Sequence, residues 1–275
     1  MIFSLMFFDV AFGFYAAAAV SYVAYFLFRR EWIGHSSTLL FVLALLSNIA
    51  TLVMRTVEIH HAPFTNLYES MVFFSALVAV IYLILEIRYK NKMLGVFVSI
   101  FLFLSFFVTN LLPFRMKVYE NLNPALQSYW LEIHVATMFV GYSAFAISFI
   151  AALLYLGKSK WQNSFPFKHL PDADFLDNLG YKSIAWGMPF LSIGIVTGAI
   201  WANYTWGSYW SWDPKETWSL ITWLIYAAYL HARVTRGWKK RKAAILAIVG
   251  FLSMVFLYWG VAFILPGLHS YGGAA

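Results

Sequence analysis

The run Ile133-His-Val-Ala-Thr-Met-Phe-Val-Gly-Tyr-Ser-Ala-Phe-Ala-Ile-Ser-Phe-Ile-Ala-Ala-Leu-Leu-Tyr-Leu156 carries no Asp, Glu, Lys or Arg. A helix needs about 20 predominantly apolar residues to cross the hydrocarbon core of a bilayer. Similar runs recur along the chain, and the predicted spans are 8–28, 38–57, 68–87, 93–112, 133–156, 183–204, 217–235 and 243–265. The 275 residues are 62% hydrophobic and only 11% charged, whereas a soluble domain is about a quarter charged. A backbone in lipid must satisfy its own hydrogen bonds, and these runs are too long for barrel strands. The predicted fold is an all-α polytopic membrane protein. It is a bundle of about eight transmembrane helices, organised as one integral-membrane domain over 1–275 without internal repeats.

Charge placement orients the bundle. Arg29 and Arg30 follow span one, and Arg88, Lys90 and Lys92 follow span three. Lys158, Lys160, Lys168 and Lys182 follow span five, and Arg233, Arg236, Lys239, Lys240, Arg241 and Lys242 follow span seven. Of the 19 Lys and Arg residues, only Arg55, Arg115, Lys117 and Lys215 fall at the opposite ends. The positive-inside rule then puts both termini on the outer side of an inner, or plasma, membrane. The net charge of +7 is thereby explained by topology, with no nucleic acid partner. The first apolar segment has no basic region before it and runs on to Phe28, so it is expected to be an uncleaved span.

Three segments besides the termini face outward: 58–67, 113–132 and 205–216. The second is long enough for a short interfacial helix and has no assigned role. The third contains Trp206-Gly-Ser-Tyr-Trp-Ser-Trp-Asp-Pro-Lys-Glu216, and half of the chain's 12 Trp lie between Trp201 and Trp223. Two readings stand side by side. Trp and Tyr favour the headgroup level, which would make the stretch an aromatic belt. Three indoles around Gly207 would equally make a platform for a large flat apolar ligand. Asp213, Pro214 and Glu216 fit the N-cap, first and third positions of span seven, a capping box. Lys215 is either solvated or turned toward a ligand carboxylate.

The chain has no Cys and seven His. Disulfides, thiolate metal sites and iron–sulfur clusters are therefore excluded, and imidazole is the obvious metal ligand. His134 opens span five and His269 follows span eight, at the same predicted face as the Trp-rich loop. They are either two interfacial histidines or the two axial ligands of one haem iron. His231 lies near the inner end of span seven, roughly 22 Å below Glu216 at the rise of a helix. An ionisable group there is either bonded to a carbonyl at the interface or part of a site. No second histidine lies near the inner side of another span, so a haem partner for His231 would come from another polypeptide. His35 and His169 sit in basic loops and suit solvation. His60 and His61 are outer-loop residues, and Arg55 suits a pair with Glu58 or Glu69, or contact with a ligand carboxylate.

These residues resemble the CcsA/ResC family of system II cytochrome c biogenesis, within a wider haem-handling superfamily. The segment from Trp206 to Trp212-Asp-Pro-Lys-Glu216 is similar to its tryptophan-rich WWD signature. The likeness extends to His61-Ala-Pro-Phe-Thr-Asn-Leu-Tyr-Glu69, His134, Tyr229-Leu-His-Ala-Arg233 and Gly267-Leu-His-Ser-Tyr271. The resemblance implies a membrane subunit of a cytochrome c synthase that carries haem b to the outer face for attachment to apocytochrome c. It implies that His134 and His269 ligate the iron at the outer site. Trp206, Trp210, Trp212 and Asp213 would hold the ring, and His231 would be a ligand at an inner transmembrane site. A ResB/CcsB-type membrane subunit is implied to supply the opposing inner ligand. The reacting thiols would belong to the Cys-x-x-Cys-His motif of the apocytochrome, and no residue of this chain would act as an acid, base or nucleophile. Two other classes compete from the residues alone. A cytochrome b-like electron-transfer subunit needs paired histidines inside its spans, and a secondary transporter needs an interrupted helix near midplane, for which Pro189 is the candidate.

Overall fold

The computed structural model describes residues 2–118, 124–165, 167–265 and 267. Among them there are helices and no strands. The chain divides into two compact units, Met1–Leu122 and Asn123–Ala275.

The first unit contains α1 (Ile2–Phe28), α2 (Glu31–Ile59), α3 (Leu67–Tyr89), α4 (Met93–Asn110) and the single turn α5 (Phe114–Lys117). Along α1, Phe8, Ala11, Tyr15, Ala18, Tyr22 and Phe26 are buried. Their spacing of three and four residues makes one stripe, which packs on α2 and α4. Several polar side chains inside this unit are met by others. Tyr22 Oη donates to Glu86 Oε2 at 2.6 Å, Thr38 Oγ1 donates to Glu86 Oε1 at 2.5 Å, and Tyr82 Oη donates to the same carboxylate. Asn48 and the Tyr15 hydroxyl bond at 3.2 Å. Asn66 caps α3 by accepting from the Glu69 amide at 2.9 Å.

The second unit contains α6 (Tyr129–Lys160), α7 (Ala173–Trp206), α8 (Pro214–Thr235), α9 (Lys240–Val255) and the short α10 (Val261–Ile264). Helices α6 and α7 form the most extensive packing in the chain. Glycines on α7 make that approach possible. Gly180, Gly187 and Gly194 recur every seven residues, and Gly198 follows one turn later. A methyl group built on Gly187 would come within 3.0 Å of the Gly141 carbonyl, so the two backbones nearly touch. A π-helical turn, Phe256–Gly260, separates α9 from α10, with the Val261 amide bonded to the Phe256 carbonyl five residues back.

All eight predicted spans fall on helices, and seven of them, with Lys240–Ile264 counted through the π-helical turn, are long and apolar enough to cross a membrane. α8 is the exception. Lys215, Glu216, His231 and Arg233 lower its apolar character, with Thr217, Ser219 and Thr222 between them. The sixth span also begins earlier than position 183. Its helix starts at Ala173 because Asp177 has a fixed partner: Arg233 grips it through Nη1–Oδ1 at 2.9 Å and Nη2–Oδ2 at 2.7 Å. The amide of Lys240 donates to the same carboxylate at 2.8 Å, so Asp177 ties α7 to the end of α8 and the start of α9.

Candidate functional site

His134 lies in the second turn of α6, where Ser128 caps the helix by accepting from the Trp130 amide at 3.3 Å. The ring is half-buried against the last turns of α7. His134 Nδ1 is 2.7 Å from the Gly194 carbonyl oxygen. A carbonyl can only accept, so Nδ1 carries a proton, and in the neutral ring the lone pair is on Nε2. Imidazoles that ligate metals are oriented by such a bond from their other nitrogen. The ring also lies against Gly198, where an added methyl would come within 2.5 Å of Nδ1.

Trp201 flanks the histidine. The two rings are 6.4 Å apart between centroids and inclined by 12°. The indole is 2% exposed, and its Nε1 donates to the Ala125 carbonyl at 3.0 Å. Trp206 meets Trp201 edge-on, with centroids 4.9 Å apart at 66°. The imidazole at the start of α6 is thus joined through two indoles to the Trp-rich turn.

Gly207 ends α7 in the left-handed region at φ 78°, which a residue without Cβ adopts at little cost. Trp210 and Trp212 beyond it pack edge to face at 5.8 Å and 89°. Trp212 also has positive φ, 60°, and remains 68% exposed. Such an exposed bulky side chain on strained backbone is uncommon. The predicted capping box is formed: Asp213 Oδ1 accepts from the Lys215 amide at 2.9 Å, and Glu216 Oε2 accepts from the Asp213 amide at 3.2 Å. Glu216 accepts from the Ser211 amide as well, at 2.7 Å. The turn is therefore pinned from its α8 side. Gly267 sits so close to the Asp213 carboxylate and Pro214 that a side chain there would collide with both.

The predicted ligands separate as follows. His134, Trp206, Trp210, Trp212 and Asp213 belong to one end of the second unit. His231 is toward the other end of α8 and its ring is exposed, with no hydrogen bond to it among the described residues. His269 lies outside the described residues. Arg55 is resolved between its alternatives: it pairs with Glu69 at 2.9 Å, while Glu58 accepts from Ser4 Oγ at 2.7 Å. His61 Nδ1 bonds the Ala62 carbonyl at 2.9 Å.

Sequence reasoning missed Gly194, Gly198, Trp201 and Ala125 as supports of His134. The seven-residue glycine spacing signals the close helix pair, but not which histidine it meets. The segment 113–132, given no role from sequence, supplies two: the Ala125 carbonyl receives Trp201, and the Lys117 carbonyl receives Arg55 Nη1 at 2.9 Å. Helix α7 continues through Pro189 without a break, so it lacks the interruption that a midplane transport site uses.

The comparisons with known proteins agree with one another. A family model described as cytochrome C assembly protein matches residues 64–269. The cytochrome c biogenesis protein CcsA of Guillardia theta is 43% identical, over 88% of this chain and 86% of its own length. The CcsA protein of Gloeobacter violaceus is 37% identical over 94% of each chain. That of Chlamydomonas reinhardtii is 45% identical over 82% of this chain, which spans 65% of the relative's length. Among solved structures, a cytochrome c heme lyase, CcmF, superposes with a TM-score of 0.69 at 18% identity. The match covers 93% of this chain and 46% of CcmF. At that identity the likeness is one of fold.

Proposed function

The chain belongs to the CcsA family of cytochrome c biogenesis proteins, and from that premise we propose that it is the haem-presenting membrane subunit of a cytochrome c synthase. It takes haem b to the outer face of an inner membrane, with both termini outside, and offers it to an apocytochrome c. The observation that supports this reading is the bond from His134 Nδ1–H to the Gly194 carbonyl, the kind of bond that orients metal-ligating imidazoles.

The donor set suits a haem as substrate. His134 and His269 would take the two axial positions. Trp206, Trp210 and Trp212 offer indole faces and edges to a porphyrin. Lys215, in the first turn of α8, would meet a propionate, helped by the positive end of that helix. Asp213 would act by fixing the turn and the chain at Gly267, two residues before His269. Joining haem to a Cys-x-x-Cys-His motif adds each thiol S–H across a vinyl group, forming C–S and C–H bonds with no net change of oxidation state. This chain's share is to hold the ring, orient it and protect the iron, so no residue here is assigned acid–base work. At the inner side His231 would be one ligand of a transmembrane haem, with a ResB/CcsB-type subunit supplying the other. Its outward-facing ring supports that assignment, since an imidazole buried within its own bundle would have no access to a second chain.

The test is the purified full-length protein with its haem measured per chain. His134→Gly and His269→Gly each lose outer-site haem, and added imidazole restores part of it. Full haem in both variants, together with normal maturation of cytochrome c, would overturn the ligand assignment.

A further inference from the structure

Trp201 lies outside the Trp-rich loop, is almost wholly buried, and cannot reach a bound ring with an exposed face. Yet it connects the loop to the imidazole. We infer that Trp201 is a positioning residue for His134, holding the plane of the axial imidazole and coupling it to occupancy of the Trp-rich turn. The inference rests on the ligand assignment proposed above.

An axial imidazole has two orientational freedoms: tilt of its metal-facing nitrogen and rotation of its plane about the metal–nitrogen axis. The bond from Nδ1 to the Gly194 carbonyl limits the first. It limits the second only weakly, because a carbonyl oxygen accepts over a broad range of directions. Gly198 and Trp201 add to the constraint. Gly198 admits the ring on one side with no Cβ to push it away. Trp201 runs nearly parallel to the ring, at 12° and 6.4 Å, within the range over which aromatic pairs interact. Trp201 cannot swing to follow the imidazole, since its N–H is held by the Ala125 carbonyl. Its other neighbour, Trp206, is the first indole of the signature. A ring seated on Trp206 therefore loads the same indole that sets the histidine plane.

The experiment uses the full chain carrying its haem, with haem per chain and the low-spin electron paramagnetic resonance signal of the oxidised iron as readouts. The g-values of a bis-imidazole haem report the relative orientation of the two ring planes. Trp201→Leu lowers haem retention by about tenfold, the scale on which groups orienting a metal ligand act, and shifts or broadens the signal. Trp201→Phe keeps a ring but loses the N–H anchor; it retains more haem and still shifts the g-values. If Trp201→Leu does not accumulate, Trp201→Phe decides alone, and a native signal in it overturns the inference. The decisive arm is the His134→Gly background without added imidazole. There no imidazole plane is left to hold, so adding Trp201→Leu has no further effect on the residual haem content. A further loss there shows that Trp201 supports the fold or the porphyrin directly, and overturns the positioning role. His134→Gly that keeps its haem defeats the ligand assignment itself, a different result from a native-like Trp201→Leu in a protein where His134→Gly fails.

Discussion

The two units put their polar groups to different use. In Met1–Leu122 two buried carboxylates gather several donors each, although the buried Tyr68 hydroxyl has no hydrogen-bond partner among the described residues. Glu86 receives three hydroxyls from α1, α2 and α3. Glu69 receives Arg55 Nε and Nη2 at 3.0 and 2.9 Å, with the amide and hydroxyl of Thr65 on its other oxygen at 3.0 and 2.8 Å. At the Trp-rich end of Asn123–Ala275, Asp213 and Glu216 instead hold a turn whose Trp212 ring reaches the surface. His134 is fixed through Nδ1, and Trp212 is pinned by its backbone while its ring is exposed. In lipid a polar side chain is costly unless matched. A charge matched inside the bundle therefore reads as scaffold, and a turn held by its cap while a ring stays exposed reads as a candidate site.

Glu69→Ala should have the largest effect. It strands Arg55, whose side chain is 3% exposed, and removing one partner of a buried pair costs about 3–5 kcal/mol. Unfolding of the purified protein in detergent measures this loss. Haem per folded chain should stay at the native level, and a well-folded Glu69→Ala protein lacking haem would break the division between the units. Gly198→Ala should do the reverse. The new methyl displaces the His134 ring, lowering haem retention by about 10-fold or more while unfolding shifts little. Native haem content in that variant would remove α7 from the ligand's support. The smallest effect falls on the turn. Trp210→Ala should weaken haem retention several-fold, taking a ring contact as worth about 0.5–1.5 kcal/mol. Trp186→Ala, on an indole already 72% exposed along α7, should leave it unchanged. Equal retention in these two would return the turn to the status of a membrane-interface belt.

Much of this architecture was legible from the chain alone. The spans follow from apolar run length, and the capping box from the order Asp213, Pro214, Glu216, because both depend on residues near one another in sequence. The contacts of His134 do not. Gly194 and Gly198 are about sixty residues from it, and only the register of α6 against α7 brings them to the ring. Glu86 is likewise readable as a charge in an apolar span, but its partners Tyr22 and Thr38 come from other helices. The extent of α7 escaped prediction because a run of Asp, Asn and Lys looks like a loop until Arg233 is seen to hold Asp177. α8 shows the limit of hydropathy itself: it is helical over Pro214–Thr235, yet its composition reflects the Asp213–Glu216 cap at one end and the Arg233 clasp at the other.

The π-helical turn at Phe256–Gly260 carries one more lesson. A regular α-helix advances about 100° per residue, so one surplus residue in a turn offsets all that follows by about that angle. The azimuth at which the chain leaves toward Gly267 is thus set by an insertion seven to eleven residues upstream, independent of what the later side chains are. Excising one residue from that turn would allow α9 and α10 to merge into an unbroken cylinder of almost identical composition. The same terminal segment would then emerge on a different bearing, turned away from Asp213.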